Sequence, residues 1–350
     1  MRPFLKPSRH MQTGQLGRLA ACCLTAMPFA SIAYAQTDRH ETVVITVEND
    51  VFTGSDSNYT NGVSLNWSSD DLSKYETGDF VKGWANLFDF APGFNADGEK
   101  NYLLFSLIHE MNTPSDITIA DPPLNEQPYS GIFLVDTSLL TDHDSWRQSW
   151  NIRVGAVGPI TQADHVQTEY HKWIGADEPL GWDTQLPNEF VFNIGYLRSD
   201  DLWDGDLVGD TDWRISSIAN LELGTYATAA GAGALIEIGS GLEDTVSTTS
   251  LGAGLGSFVG VGAEPTDRLE LSAYAGITGY AIGHFLPADG TVFRDSRSVG
   301  EREDFIGQIG LGASARYKRL IASFGVTFAS SPNSEDGVLD VGAISIGWVF

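Results

Sequence analysis

Cysteine is almost absent from this chain. Cys22 and Cys23 are the two in the sequence, and both lie in a segment with the pattern of an export signal. Four basic residues and no acidic one flank or precede an apolar run over 19–33, which ends in an Ala-Tyr-Ala cleavage motif. We therefore expect a signal peptide over 1–35 and a mature chain without disulfides, thiolate nucleophiles or cysteine-based metal sites.

Basic residues are also few. Removing residues 1–35 takes away four of the 20 lysines and arginines and none of the 46 acidic residues, which leaves a net charge of −30. Nucleic acid is excluded as a partner because its phosphates need positive charge. The simplest interpretation is a solvated acidic surface. The alternative is that surface carboxylates gather divalent cations at a lipopolysaccharide leaflet.

Long apolar runs are missing from the mature sequence. No stretch of 18 apolar residues could form a transmembrane helix, so a membrane-spanning form would have to be a closed barrel. The last strand alternates apolar and small residues through Ile344, Ile346, Trp348 and Phe350. Together with the export signal and 38 glycines, this ending predicts an outer-membrane barrel that the barrel assembly machinery recognises.

Twelve stretches have the length and alternation of membrane strands. The predicted strands are 42–52, 59–69, 101–112, 129–141, 145–157, 187–200, 212–228, 231–243, 267–283, 304–318, 319–331 and 338–350. The predicted fold class is thus all-β, a transmembrane barrel of about twelve antiparallel strands formed by one domain over 36–350. The glycine-rich stretch 245–262 fits either a further strand or a loop.

An even strand count places both chain ends in the periplasm. The connections near 50–59, 113–128 and 158–186 are then extracellular, while 68–100 and 200–211 are periplasmic. The apolar residues of 68–100 predict an amphipathic helix that packs or lies at the membrane interface.

The 158–186 connection changes to the period of a helix. Val166, Tyr170 and Trp173 make one apolar face, a capping box begins at Thr161, and Gly175 has the character of a helix stop. A short helix in an extracellular loop of a β-protein favours a functional site.

The chemistry open to this rim is limited by what is missing. The chain has neither a G-x-S-x-G elbow nor an H-E-x-x-H motif, and its histidines lack zinc spacing. Oxygen ligands without clustered histidine or cysteine favour Ca²⁺ or Mg²⁺. A metal on Asp50, with Asn49 beside it, suits an ester carbonyl and its oxyanion. His171 is the candidate base for a water molecule, and Asp177 is its candidate carboxylate partner.

Each of these features also has an ordinary structural interpretation. An Asn-Asp pair at a strand end is usually turn chemistry, and a histidine on a helix is more often structural or exposed. Their convergence on one rim favours a site. Asn49 and Asp50 cannot both face one pocket in regular β-structure, so the strand must end or bulge there, or one side chain acts from the other face.

Several motifs together resemble the lipid A 3′-O-deacylase family of outer-membrane proteins. These motifs are Glu48-Asn49-Asp50, Tyr59-Thr60-Asn61-Gly62, Gly155 to Pro159, Val166-Gln167 with His171, Ile174-Gly175-Ala176, Gly181 to Glu189, Phe293 to Ser296 and Arg316 to Arg319. The resemblance implies a twelve-stranded barrel that uses calcium to hydrolyse the 3′-linked acyloxyacyl chain of lipid A. Its functional positions fall on Asn49, Asp50, Thr60, His171 and Asp177. The family position at Asp177 is glutamate, and Glu178 follows it in this chain.

We therefore expect a calcium-dependent lipid esterase in the outer membrane of a Gram-negative bacterium. Its partners would be lipopolysaccharide, through lipid A in the outer leaflet, and the barrel assembly machinery. One alternative is a phospholipase that uses the same rim. The other is a non-catalytic structural or channel barrel in which the helix plugs the lumen.

Overall fold

The computed structural model describes residues 39–53, 59–94, 99–242, 246–248, 258–333 and 337–350. The predicted signal peptide over 1–35 lies outside these residues. Within them, no helix combines the length and the hydropathy needed to cross a membrane.

Twelve antiparallel strands close into a barrel, as the sequence predicts. They are β1 (Thr42–Asn49), β2 (Tyr59–Ser68), β3 (Lys100–Asn112), β4 (Ser130–His143), β5 (Trp146–Val157), β6 (Glu189–Asp206), β7 (Asp212–Gly224), β8 (Ala227–Gly239), β11 (Thr266–Phe285), β12 (Phe305–Lys318), β13 (Leu320–Ser330) and β14 (Val338–Val349). Each of these twelve strands pairs with the one before it and the one after it in this series, so that β8 pairs with β11. Strand β1 pairs with β14 to close the barrel. Because the number of strands is even, the start of β1 and the end of β14 lie at the same rim, the predicted periplasmic rim.

Several strand boundaries differ from the prediction; β1, for example, ends at Asn49 rather than at 52, and β8 at Gly239 rather than at 243. Strand β6 continues to Asp206, and the turn between β7 and β8 lies at Thr225 and Tyr226 rather than near 230. The early turn between β7 and β8 arises because the Tyr226 side chain is drawn into the barrel, where its hydroxyl donates to Glu110 Oε2 at 2.9 Å. Burial raises the pKa of Tyr226 well above its usual value, so the hydroxyl stays protonated and able to donate.

The described parts of the ambiguous stretch 245–262 form a separate sheet. Strands β9 (Val246–Thr248) and β10 (Phe258–Val261) pair only with each other. Val261 is buried against lumen residues Tyr102, Leu104 and Leu140. This segment therefore covers part of the periplasmic mouth of the barrel and adds no strand to its wall.

Side chains alternate between the lumen and the outward face of the wall. On β2, Val63 and Leu65 point outward and are exposed, whereas Ser64 and Asn66 point inward and are buried. The same alternation on the other strands gives an apolar outward face and a largely polar lumen, the pattern of a membrane barrel.

The lumen is filled by side chains. Near its middle, Arg153 contacts Asp136 at 2.9 Å and Glu222 at 3.1 Å, and Asn193 donates to the same Glu222 carboxylate at 2.6 Å. Towards the extracellular rim an apolar cluster includes Leu286, the first residue of the short helix Leu286–Asp289. The members of this cluster are Ile108, Ile132, Leu134, Val157, Leu186, Val191, Tyr226, Ala227 and Leu286. The barrel therefore has a packed interior.

Two longer helices lie outside the lumen. Helix α1 (Phe80–Asn86) is the helix predicted in the periplasmic connection, and α2 (Ala163–Ile174) is the one predicted in the extracellular β5–β6 connection. The helix Leu286–Asp289 is α3.

Candidate active site

Helix α2 begins differently from the prediction. A 3-10 turn over Pro159–Thr161 precedes it, and Gln162, in the left-handed conformation, is the N-cap without a side-chain hydrogen bond. The Thr161 hydroxyl donates instead to the Gly158 carbonyl at 2.8 Å, so the predicted capping box is wrong. The predicted stop is confirmed: Gly175 has φ 76° and donates to the His171 carbonyl at 2.8 Å.

The helix packs on the outward face of the barrel wall. Gly131 of β4 points outward, and a Cβ at this position would clash with Ala163 and Thr161. The glycine thus lets the start of α2 lie directly on the wall. Because the helix lies outside the barrel, it does not plug the lumen, and this feature of the structural or channel alternative is wrong.

The predicted apolar face of α2 points away from the wall. Val166 and Trp173 are 42% and 45% exposed, while Ala163 and Gln167 are buried. The Gln167 amide oxygen accepts a hydrogen bond from Trp182 Nε1 at 2.6 Å, so a polar side chain anchors the buried side of the helix.

Trp182 is itself held by Tyr129, which precedes β4. Their ring centroids lie 4.9 Å apart, and both rings cluster with Met111 and Ala163. Burial raises the pKa of Tyr129 to about 12, so its hydroxyl stays neutral and donates to the Ile117 carbonyl at 3.2 Å. These contacts join the β3–β4 and β5–β6 connections under α2.

The strand register places a row of residues on the same outward face. Asn61 of β2 pairs with Met111 of β3, which pairs with Gly131 of β4. On the other side, Glu48 pairs with Gly62, so the next residue, Asn49, lies beside Asn61 at the β1–β2 seam. The row Asn49, Asn61, Met111 and Gly131 therefore leads across the wall to the start of α2.

A second element covers the opposite end of this row. Strand β1 ends at Asn49, and a 3-10 turn over Asp50–Phe52 follows. Asn49 pairs with Gly342 of β14, and a Cβ on that glycine would lie 2.5 Å from the Cβ of Phe52. In a regular strand Asn49 and Asp50 would face opposite sides. Because the strand ends at Asn49, the turn allows the Asp50 side chain another direction. Both side chains are buried.

Thr60 lies at an irregularity in β2. Tyr59 pairs with Asn112 and Asn61 with Met111, so Thr60 is the extra residue of a bulge between them. The structure describes its backbone, and the prediction for its hydroxyl lies outside the described side chains.

His171 is held by the main chain at Asp177. Its Nδ1 lies 2.6 Å from the Asp177 carbonyl oxygen, whereas we predicted the Asp177 carboxylate as the partner. The predicted return of the chain at Gly175 does occur, but it brings back a carbonyl group. Since a carbonyl only accepts, Nδ1 carries a proton, and in the neutral ring this tautomer leaves Nε2 as the acceptor. Among the described contacts, none joins His171 to Asn49 or Asp50.

The described residues contain no cluster of three or more histidine, cysteine, aspartate or glutamate side chains that could hold a metal. One residue of the outward row, Asn61, does have an oxygen that could bind a metal. Its Oδ1 atom is buried and accepts no hydrogen bond within the described part of the chain. Calcium takes amide and main-chain oxygens as well as carboxylates. Asp50 and Asn61 therefore carry oxygens of the kind that calcium takes. Sequence reasoning had not singled out Asn61.

Another contact escaped prediction because its partners are far apart in sequence. The Glu189 carboxylate accepts hydrogen bonds from the backbone N–H groups of Val292 and Phe293, at 2.8 and 2.9 Å. Arg297 of the same loop donates to the Pro122 carbonyl at 3.0 Å and to Asp121 at 2.5 Å. The β11–β12 connection is thereby tied to the start of β6 and to the β3–β4 connection.

A family model described as outer membrane protein LpxR matches residues 19–350. The chain belongs to the LpxR family. LpxR from Salmonella typhimurium has the same fold, with a TM-score of 0.70 and 17% identity over 88% of this chain and 100% of that chain. No curated protein matches the chain.

Two autotransporter barrels are more distant. The β-domain of Bordetella BrkA gives a TM-score of 0.39, with 8% identity over 89% of this chain and 98% of that one. The translocator domain of NalP from Neisseria meningitidis gives 0.34, with 9% identity over 97% of each chain. Such scores support no inference about this chain.

Membership of the LpxR family confirms the resemblance seen in the motifs. The chain is an outer-membrane β-barrel of a Gram-negative bacterium, and its family implies a hydrolase in general terms.

Proposed function

We propose that this protein is a calcium-dependent esterase that removes the 3′-linked acyloxyacyl chain of lipid A. The observation that carries the proposal is the position of α2 on the outward face of the wall, at the extracellular rim. The helix that bears the candidate base thus lies on the side of the barrel that contacts the outer leaflet, where lipid A resides.

The surroundings of His171 suit an amphiphilic substrate. Ile160, Val166, Trp173 and Leu180 are exposed apolar side chains on α2 and its flanking segments. Exposed apolar groups that cluster beside a polar site mark a surface for a partly apolar ligand. Acyl chains can lie against these residues while an ester group reaches the polar row.

His171 acts as the base in this proposal. The Asp177 carbonyl fixes the proton on Nδ1, so Nε2 accepts a proton from water. The hydroxide attacks the ester carbonyl carbon, and the carbonyl oxygen becomes an oxyanion to which the Asn49 amide donates. When the C–O ester bond breaks, the imidazolium returns its proton to the leaving alkoxide oxygen. The products are the free acyloxyacyl carboxylic acid and the sugar 3′-hydroxyl.

Calcium is part of the proposal because the residues near the site offer oxygen atoms of the kind that calcium binds. Asp50 and the unpartnered amide oxygen of Asn61 would hold the ion. When bound, the ion polarises the ester carbonyl and stabilises negative charge on its oxygen. Thr60 is included among the proposed site residues because it lies next to Asn61, at the bulge near the start of β2.

Mass spectra of lipid A test the proposal directly. Cells that express the wild-type chain should show calcium-dependent loss of one acyloxyacyl unit. His171→Ala should lower the rate by about 10²–10⁴-fold, the usual contribution of a general base. Lys172→Ala is the matched control. Lys172 is next to His171, and its exposed side chain forms an ion pair only with Glu169 among the described residues.

Folding of both variants is checked by heat-modifiable gel mobility. Unchanged lipid A with a folded wild-type barrel would overturn the substrate assignment. Release of fatty acid from phospholipids in the same cells would then identify a phospholipase. Absence of both activities would point to a barrel without this chemistry.

A further inference from the structure

The periplasmic β2–β3 connection covers the outward face of the barrel wall. We refer to its described residues 71–94, which include α1, as the flap. Leu103 of β3 and Leu139 of β4 point outward, yet both are buried beneath it. They share one apolar cluster with the flap residues Leu72, Tyr75, Ala85, Ala91 and Phe94. The flap is thus packed against the side of the wall that elsewhere faces lipid.

Polar contacts fix the flap at both of its ends. The Tyr75 hydroxyl donates to Glu41 at 2.9 Å, just before β1. At the other end, the Pro92 carbonyl accepts hydrogen bonds from Gln148 Nε2 at 2.9 Å and Trp150 Nε1 at 3.2 Å. Both donors lie on the outward face of β5. These bonds hold the flap across strands β1 to β5.

Aromatic rings fill the space between α1 and the wall. Trp84 meets Phe105 of β3 edge to face at 5.7 Å, and Phe105 stacks on Trp67 of β2 at 5.8 Å. With Trp150 nearby in the same cluster, this rim has the aromatic girdle that membrane barrels place at the interface.

The opposite side of the flap is also apolar. Phe80, Leu87 and Phe90 are 72%, 63% and 78% exposed, although they lie on a segment whose inner side is already apolar. These apolar side chains need cover as well, because the removal of apolar surface from water is favourable. The exposed side continues the lipid-facing wall, where Leu65 and Leu107 are exposed as well.

We propose that the flap is seated in the periplasmic leaflet, with Phe80, Leu87 and Phe90 in contact with phospholipid acyl chains. Its attachment to the lipid-facing wall and the aromatic girdle place it at the depth of the interface. Lys82 and Asp89 supply a polar edge for the headgroup layer. The flap then anchors the barrel in the inner leaflet, on the opposite side of the membrane from α2.

Depth-dependent fluorescence quenching tests whether the flap lies in the periplasmic leaflet. The two cysteines of the chain lie in the predicted signal peptide, so Phe80→Cys and Phe90→Cys can carry a fluorophore at a single mature site. The full-length gene product is expressed and exported, and the folded protein is reconstituted in phosphatidylethanolamine–phosphatidylglycerol vesicles with brominated acyl chains. The labelled wild type gives the background.

Two positions calibrate the signal. Leu107→Cys on the wall is the lipid-exposed reference, and Asp144→Cys in the exposed β4–β5 turn is the aqueous reference. The proposal expects labels at 80 and 90 to be quenched at least twofold more than the label at 144. Quenching at 107 alone would overturn it. Quenching that disappears as the protein-to-lipid ratio rises would overturn it too, since a second copy would then cover the flap.

Discussion

His171 Nδ1 and the Asp177 main-chain carbonyl oxygen lie 2.6 Å apart. This contact sets the tautomer of the candidate base without using an acidic side chain. We therefore expect position 177 to need a backbone conformation rather than an acidic side chain. Gly175 creates this conformation by ending α2 in the left-handed region. Aspartate in place of the family's glutamate is compatible with such a contact, because either residue supplies the same carbonyl.

Asp177→Ala should retain most of the activity, within about threefold, because the carbonyl oxygen remains. Gly175→Ala should lower activity by about tenfold, since an L-residue in the left-handed region costs about 1–2 kcal/mol. Rates of lipid A deacylation in detergent micelles compare the two variants. A loss in Asp177→Ala as large as that in His171→Ala would show that the carboxylate itself acts.

Activity is expected to be sensitive to an added side chain at Gly131, the wall glycine on which the start of α2 lies. Gly131→Ala places a methyl group against Ala163 and Thr161 and should displace α2, with loss of most of the activity. Gly279→Ala is the matched control, because a Cβ there meets nothing within 4 Å. Heat-modifiable mobility should show a folded barrel for both. Full activity of Gly131→Ala would contradict the role of this contact.

The strands could be predicted because their information is local. Alternation with period two marks each wall segment, and Gly175 marks the end of α2 by its own conformational freedom. The start of α2 could not be predicted in the same way. Thr161 has the residue type of a cap, but its hydroxyl is engaged with Gly158 and the left-handed Gln162 takes the cap position.

The site depends on register, which sequence reasoning does not provide. Asn61 stood in a motif, but its place between Asn49 and Met111 follows from the pairing of three strands. The contact of Glu189 with Val292 and Phe293 joins residues more than a hundred positions apart. The expectation of polar residues at the rim came from the strand count, whereas their partners required the closed barrel.

Asn61 should matter for calcium binding. Asn61→Leu removes the buried unpartnered oxygen and should weaken calcium affinity on the order of tenfold or more, whereas Asn61→Asp keeps an oxygen and should retain binding. The calcium-dependent rise in the unfolding midpoint measures affinity without reference to activity.

Leu65→Ala is the control for this experiment, because Leu65 lies on the same outward face of β2. It should leave the calcium-dependent shift unchanged. An equal shift in Asn61→Leu and the wild type would exclude Asn61 as a ligand. A lost shift in Asn61→Asp would instead assign it a donor role through its amide nitrogen.

The barrel should not conduct ions. Arg153 joins Asp136 and Glu222 across the middle of the lumen, and apolar side chains around Leu286 close the part above them. Below, Val261 packs against three lumen residues at the periplasmic mouth. A passing ion would have to displace buried, paired charges, which is costly in a low-dielectric interior. Planar bilayers that contain the folded protein should therefore stay at baseline current. Regular single-channel steps, absent when unfolded protein is added, would show that the packed lumen opens and would support the channel alternative.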